Sequence, residues 1–483
     1  MSVLIGRQRE QQQLLRLSRT ERSEFLAVYG RRRVGKTYLI REVFHNEFAF
    51  SHTGLAPVTE DDKTEVYTLR DQLRHFSRSL QMYGYKGKKC PQNWLEAMYM
   101  LEDLLMEKYT GERMVVFIDE LPWMDTPKSH LIRAVDAFWN GWCNGRNILL
   151  IVCGSAASWM LDNVINQNGG LYGRVTSDMK LSPFTLAETE QYFHLLGAQL
   201  SRYDIVQAYM AMGGIPYYMN FWQPDMSLVQ NMDYLFFAPN AKLKNEFDRL
   251  FRSLFMHPEN FIRIVRLLGK CHGGYTRKDI CMETGLDSGQ TLTKTLEALV
   301  ASDFIQQYQP FGDGKRDKRY RLVDPYCLFY LHFMESGAAN DTHFWQNHYM
   351  GSALAAWRGI AFEEVCLLHV AAIKRALGIE GIASNESGWV VRGNGASEGT
   401  QVDMVITRAD NVVNLCEMKF YGDHYLPTKD DDSRMRHRIT TISAMLNKKQ
   451  SLHTVLITTF GLSHGMYSGI FTKTITLEDL FTV

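Results

Sequence analysis

The chain has 483 residues, too many for one ordinary core, so two to four domains are expected. Its 45% hydrophobic and 22% charged residues are typical of a soluble globular protein, and a net charge of zero makes any nucleic-acid contact depend on a local basic patch. No apolar run approaches the roughly 18 residues that span a bilayer, the opening MSVLIGRQRE lacks the apolar stretch of a signal peptide, and eight cysteines scattered without a CxxC pair read as reduced thiols of a cytoplasmic protein, not as disulfides or zinc ligands.

Between residues 25 and 240 the pattern is α/β. The short apolar runs Phe25–Tyr29, Met114–Ile118 and Ile148–Val152 alternate with longer helical patterns, as buried parallel strands and crossover helices do. Residues 184–240 read as mainly helical. The first strand runs into Gly30-Arg31-Arg32-Arg33-Val34-Gly35-Lys36-Thr37, which fits G-x-x-x-x-G-K-[ST], and Tyr38-Leu39-Ile40 begins a helix. Glycines let backbone N–H groups converge on phosphate oxygens, and the helix N-terminus adds partial positive charge. Lys36 is expected to reach the β- and γ-phosphates of a nucleotide, and Thr37 to ligate Mg²⁺.

The second half of that site is expected on Met114–Ile118, which ends at Asp119-Glu120. An apolar strand ending in an acid places the carboxylate at the sheet edge where ligands bind. Asp119 is the candidate to hold Mg²⁺ through water, and Glu120 to polarise the attacking water. The third strand ends at Gly154-Ser155, where a polar side chain can sense the γ-phosphate. Arg174, in a glycine-rich turn, is either an arginine finger or a surface arginine.

In order along the chain stand Ile5-Gly6-Arg7-Gln8-Arg9-Glu10, the Gly30–Thr37 loop with its three arginines, Ile118-Asp119-Glu120, Gly154-Ser155, Leu171-Tyr172-Gly173-Arg174 and Gly213-Gly214-Ile215-Pro216-Tyr217-Tyr218. This series resembles the archaeal-type ATPase family, a prokaryotic branch of the AAA/STAND P-loop ATPases. The resemblance implies ATP in place of GTP, and puts Gly6-Arg7 near the adenine.

Residues 260–323 read as a winged helix. Phe261, Ile264, Val265 and Leu268 share one helical face, Thr276 caps a short helix ended by Gly285, and Leu292, Leu296, Leu299 and Val300 stripe the next. Gln290, Thr291, Thr293 and Lys294 face outward on that helix, where a recognition helix meets base edges. A hairpin follows, Phe304–Gln309 and Arg319–Val323, and Lys315, Arg316, Lys318, Arg319 and Arg321 are expected to make its tip basic. The alternative is a structural winged helix that packs against the ATPase.

Further on, Val402-Asp403-Met404-Val405-Ile406, a polar turn over Arg408–Asn411, and Val412–Lys419 read as two adjacent strands. Residues two apart on a strand face one side, so Glu417 and Lys419 project together opposite Asp403. Two carboxylates can hold Mg²⁺ or Mn²⁺, the metal activates water, and the lysine stabilises charge on a phosphodiester. Glu363, on a helix upstream, is a further candidate ligand. This D…ExK pattern resembles the PD-(D/E)xK restriction-endonuclease-like fold, with Val402 where that motif's proline stands; archaeal-type ATPases often carry such a C-terminal domain. An ordinary hairpin, or the same fold without catalysis, remains the alternative. Lys429-Asp430-Asp431-Asp432 with Arg434, Arg436 and Arg438 starts a helix and reads as a solvated face, with phosphate contact as the alternative.

The expected fold class is therefore α/β: an AAA-like P-loop parallel sheet (1–183) with a helical lid (184–250), a winged helix (251–323), a connector (324–350) and a restriction-endonuclease-like domain (351–483). The expected function is an ATPase with ATP and Mg²⁺ as cofactors, controlling a nuclease-like module with DNA as candidate partner, no membrane, and an oligomer or protein partner left open. The rival is a nucleotide-switched DNA- or protein-binding regulator whose nuclease-like domain is inactive.

Overall fold

The computed structural model describes residues 4–56, 67–166, 171, 173–255, 257–312, 318–391 and 400–482. The chain divides into two compact units. The first comprises Met1–Pro183 with Asp248–Glu259 and Leu296–Asp303; the second comprises Phe184–Phe247, Asn260–Thr295 and Phe304–Val483.

The first unit is built on five parallel strands: β1 (Glu24–Tyr29), β2 (Phe50–Thr53), β3 (Met114–Asp119), β4 (Ile148–Gly154) and β5 (Ser177–Lys180), in the order β2-β3-β4-β1-β5. The three central strands are buried almost throughout, because helices cover both faces. The edge strands β2 (FSHT) and β5 (SDMK) were not part of the sequence expectation. Each bonds a single neighbour and carries polar residues, so neither presents a continuous apolar run. Phe25, Phe76, Trp94, Leu101, Phe138 and Leu150 are among the residues of one core, onto which helix Leu69–Met82, capped by Thr68 and Asp71, and helix Trp94–Lys108 pack.

The second unit opens with helices Leu186–Leu195 and Arg202–Met212. A Cβ on Gly214 would lie 1.9 Å from the Phe184 carbonyl oxygen, so only glycine permits the Phe184 N–H to reach the Gly214 carbonyl at 2.6 Å. Residues 258–322 supply helices Pro258–Leu268, Arg277–Thr284 and Gln290–Ala301, and an antiparallel sheet of β6 (Tyr275–Thr276), β7 (Ile305–Tyr308) and β8 (Arg319–Leu322), ordered β6-β8-β7. Thr276 and Asp279 form a reciprocal cap at the start of the middle helix, and Gly285 ends it at φ 68°. Residues 324–350, expected as a connector, are packed: Phe329, Phe333 and Trp345 stack among one another and against Phe237 and Trp357.

After helix Ser352–Leu368 come β9 (Ser384–Val391), β10 (Thr400–Arg408), β11 (Val412–Lys419), helix Lys429–Ser443, β12 (Ser451–Thr458) and β13 (Lys473–Ile475). The sheet order is β13-β12-β11-β10-β9, antiparallel from β9 to β11 and parallel from β11 to β13. The sequence expectation lacked β9 and β13. Ser384-Asn385-Glu386-Ser387-Gly388 is rich in residues depleted in strands, and both lie at edges.

His369 ties the helical segment to the C-terminal part of this unit. Its Nδ1 donates to the Val365 carbonyl at 2.7 Å, and its Nε2 accepts the Leu186 N–H at 2.9 Å, so the ring is neutral. Burial lowers its pKa from 6.5 to about 4. A depressed histidine stabilises the fold above its unfolded pKa, and that contribution disappears as pH falls from 6.5 toward 4. Thermal unfolding followed against pH should therefore show wild type losing about 2 kcal/mol relative to His369→Gln between pH 7.5 and 5. Parallel curves for the two proteins would rule the linkage out.

Candidate functional site

The phosphate loop sits at the C-terminal end of β1, where parallel strands deliver backbone to a sheet edge. Gly30 is held against Leu181, whose carbonyl oxygen would lie 2.2 Å from an added Cβ. Gly35 takes φ 94° at the start of helix Lys36–Val43, a conformation other residues adopt only with strain. Lys36 is buried, and its Nζ donates to the carbonyls of Gly30 and Arg31, each at 2.9 Å. The ammonium is thus stored inside the loop on the loop's own oxygens. Arg31 is 1% exposed and Val34 is equally buried, whereas Arg32 and Arg33 are half-buried, with the Arg32 guanidinium over the Trp123 ring.

β3 brings its acidic end to this loop. Thr37 Oγ1 donates to Asp119 Oδ2 at 2.8 Å, and both belong to the set expected around Mg²⁺. Glu120 takes the left-handed conformation, φ 48°, uncommon for a residue with a side chain and found where a site needs a fixed direction. Its Oε2 accepts from the Ser155 N–H at 2.9 Å and the Ser155 hydroxyl at 2.7 Å. Burial raises the Glu120 pKa; Lys36 opposes that rise and Asp119 adds to it. Ser155 was expected to sense a phosphate. Its observed partner is the Glu120 carboxylate, 35 residues away, a pairing with no local sequence signal.

The donor set fits a Mg²⁺–nucleotide: an ammonium on replaceable carbonyl partners, a hydroxyl and a carboxylate already joined, and a second carboxylate aimed by a serine. Arg7 Nη2 donates to the Ser182 carbonyl at 2.6 Å, so this residue of the Gly6-Arg7 segment is anchored at the end of the first unit's chain. Arg174 stands elsewhere. The Thr176 N–H bonds the Phe25 carbonyl, at the opposite end of β1, separated from the loop by roughly 16 Å of strand. Arg174 pairs with Asp136 at 3.4 Å and is 47% exposed, so it is no part of its own chain's phosphate site.

In the C-terminal sheet the pairing Met404 with Cys416 sets Asp403 opposite Glu417. Asp403 Oδ2 accepts the Met418 N–H at 3.0 Å, and Lys419 Nζ meets Glu417 Oε1 at 2.8 Å. Burial, then Glu417, raises the Asp403 pKa; burial, then Asp403, raises that of Glu363 on helix Ser352–Leu368. Burial opposes the Lys419 charge, but Glu417 outweighs it and raises its pKa overall. Asp403, Glu417, Lys419 and Glu363 therefore form one electrostatic cluster. Arg438, read from sequence as part of a solvated face, instead donates to Glu417 Oε2. Arg434 and Arg436, its neighbours on the helix, pair with Asp431 and Asp432. Among the described residues no group of three or more His, Cys, Asp or Glu is arranged to hold a metal, so Glu363, expected as a further ligand, does not complete a three-acid set with Asp403 and Glu417. Two carboxylates with water as the remaining ligands still meet what Mg²⁺ requires.

The expected basic hairpin tip is corrected in part. Arg321 is buried, bonded to Gln306 and stacked over Tyr308 at 4.9 Å, and Arg319 Nη1 reaches the Gly273 carbonyl at 3.4 Å. Alternate residues of β8 share a face, and this face turns into the protein. Lys315 and Arg316 lie outside the described residues; Lys318 is exposed. The Phe311 N–H bonds the Gly388 carbonyl at 3.0 Å, which fastens the start of the hairpin loop to β9.

A parallel sheet with a lysine-bearing phosphate loop after β1 and paired acids after β3 defines a P-loop nucleotide-binding domain. Residues 4–220 match the family described as an ATPase domain predominantly from Archaea. The chain is 23% identical over 321 residues to the uncharacterized protein MJECL04 of Methanocaldococcus jannaschii, a match that spans 64% of this chain and 64% of that relative's length. Among solved structures, the Walker-type ATPase PABY2304 of Pyrococcus abyssi is 16% identical, with 68% of this chain and 96% of that one covered, at TM-score 0.45. The ORC2 protein of Aeropyrum pernix, in its ADPNP–ADP complexes, is 13% identical over 70% and 96% of the two chains at TM-score 0.40. Likenesses this loose carry no functional argument. No described helix is long and apolar enough to cross a membrane.

Proposed function

We propose that this protein is a cytoplasmic ATP-hydrolysing switch whose nucleotide state controls a winged helix over 251–323 and a nuclease-like domain over 351–483, acting on DNA. The observation that carries the reading is the junction of the phosphate loop with the acidic end of β3, where Thr37 bonds Asp119 and Ser155 aims Glu120. Bound there, ATP with Mg²⁺ supplies the phosphoanhydride and the charge that binds its own phosphates. Lys36 exchanges the Gly30 and Arg31 carbonyls for phosphate oxygens. Thr37 and Asp119 present oxygens to the metal, and Glu120 takes the proton of the attacking water while Ser155 keeps it in place. Arg174 is too far along β1 to serve this site, so a finger role for it requires a neighbouring copy and an oligomer.

Mg²⁺-dependent phosphate release by the full chain, compared for ATP, GTP and EDTA-treated controls, tests the proposal. Release that needs Mg²⁺ and favours ATP is expected. No turnover together with no ATP binding by calorimetry sinks it.

For the C-terminal domain the nuclease reading is supported by Asp403 standing opposite Glu417 across β10 and β11, with Lys419 on Glu417. A second reading, a DNA- or protein-binding domain without cleavage, is favoured by Glu417 having both oxygens taken by cations of its own chain.

A further inference from the structure

The helix Lys429–Ser443 buries Met435 and Ile442, and Arg438 lies three residues after the first and four before the second. It therefore borders the stripe that faces the sheet, one turn beyond Arg434 and on the opposite side from Arg436. The exposures agree: 16% for the Arg438 side chain against 63% and 70% for the other two. An arginine on a buried face needs a partner, since a guanidinium cannot shed its proton. The partner is Glu417, itself 9% exposed, whose Oε2 takes Arg438 while Oε1 takes Lys419 at 2.8 Å.

We propose that Arg438 governs entry of a divalent cation into the Asp403–Glu417 site: it holds Glu417 while the metal is absent and must leave for the ion to bind. The inference rests on the nuclease reading for the identity of the ion. Both Glu417 oxygens are already held by cations, Oε1 by Lys419 and Oε2 by Arg438, so a divalent ion reaches this carboxylate only when one of them lets go. One cation has to go. Lys419 stands two residues from Glu417 on the same strand and is held near it. Arg438 reaches Glu417 from a separate helix on a long, rotatable side chain, so it is the cation free to let go. A polynucleotide phosphate offers the released guanidinium a bidentate partner. Polynucleotide and metal then favour each other, and the effect is reciprocal.

Mn²⁺ titration calorimetry on the nucleotide-free full chain tests this, with wild type, Arg438→Gln and Glu417→Gln compared. Subtracting Glu417→Gln isolates the site from the phosphate loop. Arg438→Gln is expected to bind Mn²⁺ at least about tenfold more tightly than wild type, because a repelling unit charge is gone. A short single-stranded oligonucleotide should tighten Mn²⁺ binding several-fold in wild type and leave Arg438→Gln unmoved. Arg438→Met, which keeps the apolar stem, replaces the glutamine variant if that one misfolds. Equal or weaker Mn²⁺ binding in the Arg438 variant, with the site still lost in Glu417→Gln, overturns the role of Arg438 and leaves the metal site standing. An absence of Glu417-dependent Mn²⁺ binding in every protein removes the nuclease reading and the gate with it.

Discussion

Lys36→Ala is expected to weaken ATP binding at least about tenfold and to abolish measurable turnover, whereas Glu120→Gln should bind ATP normally and lose at least about a hundredfold in kcat. The two residues sit in one electrostatic system but do different work. Lys36 keeps a buried ammonium on the Gly30 and Arg31 carbonyls, which phosphate oxygens can replace, and a hydrogen bond to a charged group is worth about 1.5–3 kcal/mol. Its removal also withdraws the charge that offsets burial at Glu120, so the remaining carboxyl protonates more readily. Glutamine at 120 still accepts from Ser155 with its amide oxygen, so the site keeps its shape and loses only its base. Calorimetry for ATP binding and phosphate release for turnover separate the two. Wild-type turnover in Glu120→Gln would show that another group takes the proton.

The pH dependence of wild-type turnover follows from the same arrangement. Glu120 acts ionised, and burial holds its pKa above the ordinary carboxylate range. The rate should rise with pH through that elevated pKa, and Ser155→Ala, which removes one of two stabilising donors, should move the rise to higher pH. An unmoved profile in Ser155→Ala would show that the backbone N–H alone fixes Glu120.

What could be read from the sequence follows from how local each signal is. Gly30 to Thr37 is a continuous string whose spacing carries its chemistry, and the acids at 119 and 120 end a wholly apolar strand. The strand edges were another matter. β2, β5 and β9 carry serine, histidine, aspartate and asparagine because each lies at or near a sheet margin, so none shows the apolar run that marks a central strand. Arg321 and Arg438 were misread for one reason. Each stands in a run of charges that looks solvated, and each is turned inward by the period of its element: period two in β8, a buried stripe in helix Lys429–Ser443. Their partners, Gln306 and Glu417, lie 15 and 21 residues away, beyond any pattern a single window can hold.

Lys419→Ala should remove metal-dependent DNA cleavage, with a loss of at least about a hundredfold, while leaving ATP turnover within about threefold of wild type. The charge that Lys419 now shares with Glu417 is the one that a phosphodiester acquires as water attacks it, and a fixed cation at such a position is worth several kcal/mol. Alanine also leaves Glu417 paired with Arg438 alone, so the carboxylate stays compensated and the fold should hold. Plasmid and linear DNA incubated with Mg²⁺ or Mn²⁺, with and without ATP, provide the measurement. Cleavage that depends on Lys419 and on nucleotide would join the two sites in one mechanism; cleavage that persists in Lys419→Ala would assign the activity to other residues or to a contaminant. Wild type that binds DNA in an ATP-dependent manner and never cuts it would move the C-terminal domain to the binding role, with Arg438 and Lys419 as permanent counter-ions of Glu417 in a site that has given up its metal.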